Sequence, residues 1–295
     1  MNLSLRPGAW MLFCASLIWG LAFIPQSVTV AQQSGFWACA LRFALAAPLA
    51  LLLAKGRLKS GLSLPVSLLL GVLLYGAFWA QTEALRHTPV ARVSLISGLY
   101  AVFTPLLAPL LGLPRPAKRQ IGGALLAFCG LFALTGNLST SQAPWNVGDA
   151  LSLLHAFISA IHILMIGKLA PQSEALSLNA VQIGIVACLA LPVAWFWGGP
   201  VDFGQIDAQT WWAFGYLALF SSVIAFALQL TGQKRASPSL CAVIFLLESP
   251  IGATAAIFLL GESLAMPQIA GALILMSGIG LSLHAETQRN HNAFV

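Results

Sequence analysis

Gln120-Ile121-Gly122-Gly123-Ala124-Leu125 lies in one apolar run and returns, 148 residues on (268 − 120), as Gln268-Ile269-Ala270-Gly271-Ala272-Leu273 in another. Gly130 and Gly278 follow at the same offset. The preceding runs match more weakly, with Pro105 opposite Pro250, and Gly8 and Gly148 open two further runs that correspond. Several landmarks agreeing in order read as a duplicated segment rather than as chance likeness between apolar helices. The copies span 1–137 and 147–284 and leave a short tail, 285–295.

Composition identifies the solvent in which these copies fold. Only 14 Lys and Arg and 8 Asp and Glu occur in 295 residues, so 7% are charged while 59% are hydrophobic. An ordinary soluble chain carries about 25% charged residues, and so few charges would not cover a soluble surface. Disorder needs the opposite composition. The chain therefore reads as a bilayer protein.

A bilayer-crossing helix takes roughly 20 mainly apolar residues. Runs of that kind fall near 9–31, 36–54, 64–84, 90–112, 120–136, 147–167, 177–198, 209–230, 238–260 and 267–284. They are continuous rather than alternating, which excludes a membrane barrel. The first begins beyond Arg6, is too long for the apolar core of a leader and lacks a cleavage site, so it is read as an uncleaved span. The fold expected is an all-α membrane protein of ten transmembrane helices. Each copy holds five, an odd number, so the second enters the membrane upside down relative to the first. Inverted five-helix repeats are a secondary-transporter architecture, with the substrate site near mid-membrane where the repeats meet.

The net charge of +6 belongs to topology rather than to nucleic acid. One set of loops, with both tails, holds Arg6, Lys55, Arg57, Lys59, Arg115, Lys118, Arg119, Lys168, Lys234, Arg235 and Arg289. The other set holds Arg86 and Arg92, and its longest loop carries Asp202 and Asp207. The positive-inside rule then puts both termini in the cytoplasm. All five cysteines lie in apolar runs without ligand-like spacing and are read as small buried hydrophobes.

Trp19-Gly20 followed by Phe23, Leu41-Arg42-Phe43, Gly148-Asp149, and Glu248, Pro250, Gly261-Glu262 and Gly271-Ala272 occur in an order and spacing that span both repeats. In this the chain resembles the EamA-type ten-helix permeases of the drug/metabolite transporter superfamily. The first repeat departs from the pattern: Gly112-Leu113-Pro114-Arg115 stands where a Gly-Glu pair is expected. The resemblance implies export of small metabolites or amino acids across a bacterial inner membrane. The aromatic content looks most like the aromatic-amino-acid exporter branch, with threonine/homoserine-type and drug exporters as neighbouring alternatives.

Polar groups in mid-membrane are costly unless paired or facing a cavity, which makes them candidates for function. Glu248 is the deepest acid and shares a helical face with Cys241, Phe245 and Gly252. It suits a substrate ammonium or an exchangeable proton, or alternatively a structural hydrogen bond or a pairing with Arg42. Arg42 is thus a candidate charge partner, a helix anchor or a contact for a substrate carboxylate. Ser152, His155, Ser159 and His162 form a polar stripe on the sixth span, suited to substrate contact, proton handling or helix–helix hydrogen bonding. The two histidines are about 10 Å apart along the axis, too far to share a metal ion. Tyr75, Trp79, Thr82, Glu83 and Arg86 are read as one face of the third span, with Glu83 and Arg86 paired.

Trp19, Tyr75, Trp79 and Tyr100 carry polar handles on aromatic bodies at mid-depth and are taken as substrate contacts, beside His155, His162 and Glu248. Trp211 and Trp212 fall where an interfacial belt is expected. Pro25, Pro105, Pro192 and Pro250 are expected to bend or unwind their spans. Gly123, Ala127 and Gly130, echoed by Gly271 and Gly278, form a small-residue face for close packing between the halves or in a homodimer.

Gly167-Lys168 is followed by Leu169, so no phosphate loop is present, and neither a zinc-protease motif nor a nucleophile–base set occurs. No enzyme, cofactor or metal site is expected. With Arg42 the single basic residue inside a span, phosphorylated substrates fit poorly. A small neutral or zwitterionic substrate fits best, with the lipid as the other partner and no nucleic acid. A channel or a non-transporting binding or scaffold protein is the alternative.

Overall fold

The structure, a computed structural model, describes residues 7–56, 58, 61–113, 115–134, 146–170, 173–261 and 266–292. Expectations attached to Arg6, Arg57, Lys59, Glu262, the Arg289 side chain, residues 135–137 and the end of the tail lie outside them.

Among the described residues the chain forms ten helical spans and no strand. Five are single helices in the body of the fold: Pro7–Gln32, Gly35–Leu53, Leu64–Ala84, Val147–Leu169 and Ala175–Trp197. The fourth is broken into Val90–Ser97 and Tyr100–Leu107, with a tight turn Ala108–Leu111 at its end. The ninth is broken into Pro238–Phe245 and Glu248–Leu260. The eighth runs from Ala208 to Gln233 and widens to a π-helix over Leu217–Ile224. The fifth, Lys118–Leu134, and the tenth, Met266–Asn292, complete the set. The tenth helix thus continues into the segment assigned to the tail. Pro25 and Pro192 sit inside continuous helices, so neither unwinds its span.

Short polar side chains start the spans where the backbone leaves water. Ser34, Glu174, Asp207 and Ser237 each accept a hydrogen bond from an N–H of the first helical turn. Asn146 and Asp149 form a reciprocal capping box on the sixth span. Gly148 has a separate reason: a Cβ there would meet the Thr88 hydroxyl and the Ala84 carbonyl. Gly8, its counterpart, lies equally close to Gly232 and Arg235, 3.1 Å from a Cβ position to the Gly232 carbonyl oxygen.

Those two glycines show how the repeats interlock. The first span packs on the eighth and ninth, and the sixth packs on the third and fourth. The second pairs with the seventh, the fourth with the ninth and the fifth with the tenth. Every one of these contacts joins one repeat to the other, and exchanging the repeats reproduces the set.

The two helix breaks are in register. Val90–Ser97 and Pro238–Phe245, and then Tyr100 and Glu248, stand 148 residues apart, the offset of the Gln120 and Gln268 segments. Leu99 N–H bonds Ile96 C=O and Leu247 N–H bonds Ile244 C=O, three residues back in each case, so both breaks pass through a tightened turn. This register corrects the pairing of Pro105 with Pro250. Pro250 lacks the N–H that would reach Leu246, and its ring crowds that carbonyl, which puts the ninth-span break just ahead of it. Pro105 acts on Ala101, beyond the fourth-span break.

The breaks cross each other. A Cβ on Gly98 would lie 2.6 Å from both Leu246 Cδ1 and Ser249 Oγ, and Ser249 Oγ donates to Ser94 C=O at 2.8 Å. Gly20, of the Trp-Gly pair, lets the first span approach the ninth: its Cβ would lie 2.6 Å from Ile251 Cβ and 2.9 Å from the Glu248 carbonyl oxygen.

The small-residue faces of the fifth and tenth spans meet within the chain. A Cβ on Gly130 would strike the Leu275 backbone, and one on Gly278 the Ala127 backbone. Gly122, by contrast, points into open space. Gly130→Leu should therefore destabilise the protein by about 2 kcal/mol or more, seen as a lower unfolding temperature and loss of the monodisperse species in detergent. Gly122→Leu, which fills nothing and gains helix propensity, should leave both unchanged. Equal behaviour of the two variants would contradict this packing.

Candidate substrate cavity

Where the four spans adjoining the helix breaks face one another, about 600 Å³ of space, counted out to its mouth, is left unfilled. The third span presents Leu74, Ala77, Phe78 and Gln81 to it, spaced as one helical stripe. The first presents Trp19, Ala22, Phe23 and Gln26, and the sixth His155, Ser159, His162 and Ile163. Ser221, Phe226 and Gln229 come from the eighth. The two breaks add Tyr100, Phe245 and Glu248.

Several of these residues are repeat equivalents. Phe78 and Phe226, Gln81 and Gln229, and Tyr100 and Glu248 are each 148 apart. Phe78 and Phe226 meet edge to face with ring centroids 5.5 Å apart. The cavity therefore sits on the axis relating the two repeats. Tyr100 is buried with its hydroxyl beside the Glu248 carboxyl, without a well-formed hydrogen bond between them.

A chain of amides and hydroxyls lines one wall. Gln26 Nε2 donates to Thr82 Oγ1 at 2.8 Å and lies 3.5 Å from Gln81 Oε1. Gln81 Nε2 meets His155 Nε2 at 3.2 Å, and His155 Nδ1 meets the Ala77 carbonyl oxygen at 2.8 Å. The Ala77 carbonyl only accepts, so Nδ1 carries the ring proton and Nε2 accepts from the Gln81 amide. Ser159 Oγ lies 3.4 Å from the same Nε2. On the other wall His162 Nε2 meets Gln182 Oε1 at 2.8 Å, and Trp19 Nε1 donates to Ser221 C=O at 2.9 Å within the π-helical turn. Trp19 also packs edge-on to Phe226 and Phe245.

Trp19, Tyr100, His155, His162 and Glu248 are thus brought to one cavity. Tyr75 and Trp79 are not. The stripe that faces inward is offset by one residue from the one read from the sequence, which rotates Tyr75 and Trp79 by about 100°. Trp79 stacks on Phe36 at 5.3 Å, and Tyr75 packs beside Trp37, Ala40, Ala190 and Ala194. Glu83 and Arg86 pair at 2.8 Å as expected, and Glu83 also accepts from Gly35 N–H at the start of the second span.

Arg42 lies behind the wall rather than on it. It bonds Ser221 and Ser222, each at 2.8 Å, and does not form the ion pair with Glu248 that was one of its readings. Phe78, Gln81, Ser221, Phe226 and Gln229 went unnoticed in the sequence. The signal was there: Ala77-Phe78-Trp79-Ala80-Gln81 and Ala225-Phe226-Ala227-Leu228-Gln229 repeat Ala-Phe-x-x-Gln at the offset of 148.

Known proteins resemble this chain in sequence and fold. A model of the EamA-like transporter family matches residues 6–136 and again 146–283. An uncharacterized transporter of Archaeoglobus fulgidus is 28% identical over 91% of this chain and 83% of its own. A protein of Salmonella typhimurium, described as a probable amino-acid metabolite efflux pump, is 25% identical over 94% and 95%. An Escherichia coli protein of the same description is 25% identical over 90% and 91%. A crystal structure 18% identical in sequence superposes with a TM-score of 0.79 over 95% of this chain and 98% of that one. The protein is a multi-pass membrane transporter. It belongs to the EamA-like transporter family.

In a cysteine-free background, Ala77→Cys should react with a small water-soluble thiol reagent at least about tenfold faster than Tyr75→Cys. Mass spectrometry of the labelled protein in liposomes measures the ratio. Equal rates would contradict the placement of the inward stripe.

Proposed function

We propose that this transporter exports small zwitterionic metabolites, amino acids and aromatic ones in particular, from the cytoplasm across a bacterial inner membrane. The cavity on the repeat axis, walled by aromatic rings and amides with a single acid, carries the reading. Rings such as Trp19, Phe78 and Phe226 offer stacking and apolar contact to an aromatic side chain. Gln26, Gln81, Gln229 and the two histidines offer hydrogen bonds, and Glu248 a counter-charge for an ammonium group. The printed descriptions of the Salmonella and Escherichia relatives support the amino-acid assignment. The asymmetry of Lys and Arg between the loop sets supports cytoplasmic termini.

Transport proceeds by alternating access. Because the repeats interlock, the movement is a shift of helices about the repeat axis rather than of one whole repeat against the other, and the breaks in the fourth and ninth spans supply the bending points. Glu248, on the cavity wall beside Tyr100, is placed to exchange a proton with each passage.

Purified protein in proteoliposomes should give saturable flux of phenylalanine, tyrosine or tryptophan. Saturable flux of none of the twenty amino acids, with reconstitution intact, rejects the amino-acid assignment, and unsaturating conductance would make the protein a channel. Glu248→Gln should lower flux at least about tenfold and flatten its pH profile. Retention of the wild-type rate and profile would rule out coupling through this residue.

A further inference from the structure

Arg42 is a cation in mid-membrane with neutral partners. It is 1% exposed, its Nε donates to Ser222 Oγ and its Nη2 to Ser221 Oγ, and Nη1 has no hydrogen-bond partner. Its guanidinium carbon lies 4.2 Å from the Phe78 ring centroid and 5.3 Å from that of Phe43. No described carboxylate lies within ion-pair distance of it. Burying a charge this way is costly, and hydroxyls and ring faces offset only part of the cost.

Two of the groups touching the guanidinium, Ser221 and the Phe78 ring, are also cavity wall. A hydroxyl that accepts from a guanidinium keeps its own proton, and the cation polarises that O–H toward a further acceptor. The acid of the cavity, Glu248, stands on the ninth span, while Arg42 and its serines belong to the second and eighth. The site thus has an acidic part and a cation-backed hydroxyl part on separate elements.

We propose that Ser221, backed by Arg42, receives the carboxylate of the transported molecule, while its ammonium faces Glu248. This rests on the zwitterion reading given above and adds the element that separates an amino acid from the amine lacking its carboxylate. Arg42 is then a positioning residue acting through Ser221 and across the Phe78 face.

The test measures binding of phenylalanine, phenethylamine and 3-phenylpropionate to the full chain in nanodiscs by calorimetry. Wild type should bind phenylalanine at least about tenfold more tightly than phenethylamine. Arg42→Gln should bring that ratio within about twofold, by weakening phenylalanine and 3-phenylpropionate while leaving phenethylamine unchanged. Arg42→Lys should restore part of the preference, which loss of a purely structural anchor would not predict. Ser221→Ala, a small change that leaves the guanidinium in place, should weaken both carboxylates alone and covers the case in which Arg42→Gln fails to fold. An unchanged ratio in Arg42→Gln, or in Ser221→Ala where that variant must stand in, overturns the proposal, as does a wild type that binds neither carboxylate. A wild type that binds 3-phenylpropionate in an Arg42-dependent way but transports no amino acid retains the proposal and rejects the amino-acid assignment.

Discussion

The fourth and ninth spans cross so closely that a Cβ on Gly98 would lie 2.6 Å from both Ser249 Oγ and Leu246 Cδ1. Most of the functional geometry depends on that approach. It brings two helix breaks to the repeat axis, where each continues in i to i−3 backbone bonds. It places Tyr100 and Glu248, the first residues beyond the breaks, beside each other and at the cavity. Gly20 performs a related task on the first span, where lack of a side chain brings Trp19 to the cavity wall.

Duplication accounts for the frame but not for its chemistry. Arg92 meets Asp149 at 2.8 Å through both Nε and Nη2, tying the fourth span to the sixth at the face away from the termini. The equivalent positions at the terminal face are Leu240 and Ala9, which pack against one apolar cluster. One helix–helix contact is therefore ionic and its repeat equivalent apolar. In the same way Tyr100 answers Glu248 across the axis, so the cavity repeats its Phe and Gln lining but not its acid.

Much of this was legible in the residues. The scarcity of charge, the ten apolar runs and the repeat led to an all-helical membrane fold, and Trp19, Tyr100, His155, His162 and Glu248 were picked out as intramembrane polar groups. The third span shows where such reading stops. It packs against the second, sixth and seventh spans as well as the cavity, so its aromatic residues have several places to go. Tyr75 and Trp79 went to the second and seventh, while Phe78 and Gln81 took the cavity. The eighth span shows another limit, since its π-helical turn shifts the face presented by every residue beyond it and leaves no mark in apolar periodicity.

The sequence by itself determined the number of spans and the opposed orientation of two repeats, because lipid tolerates only long apolar helices and five is odd. The tertiary structure alone decided which polar side chains meet. That choice rests on where the backbones of distant helices approach, at Gly20, Gly98 and Gly148 among others, and each approach depends on both partners at once. Arg42 shows the difference most plainly: its presence inside a span was evident from the residues, and its company, Ser221, Ser222 and the Phe78 ring, came from helix packing.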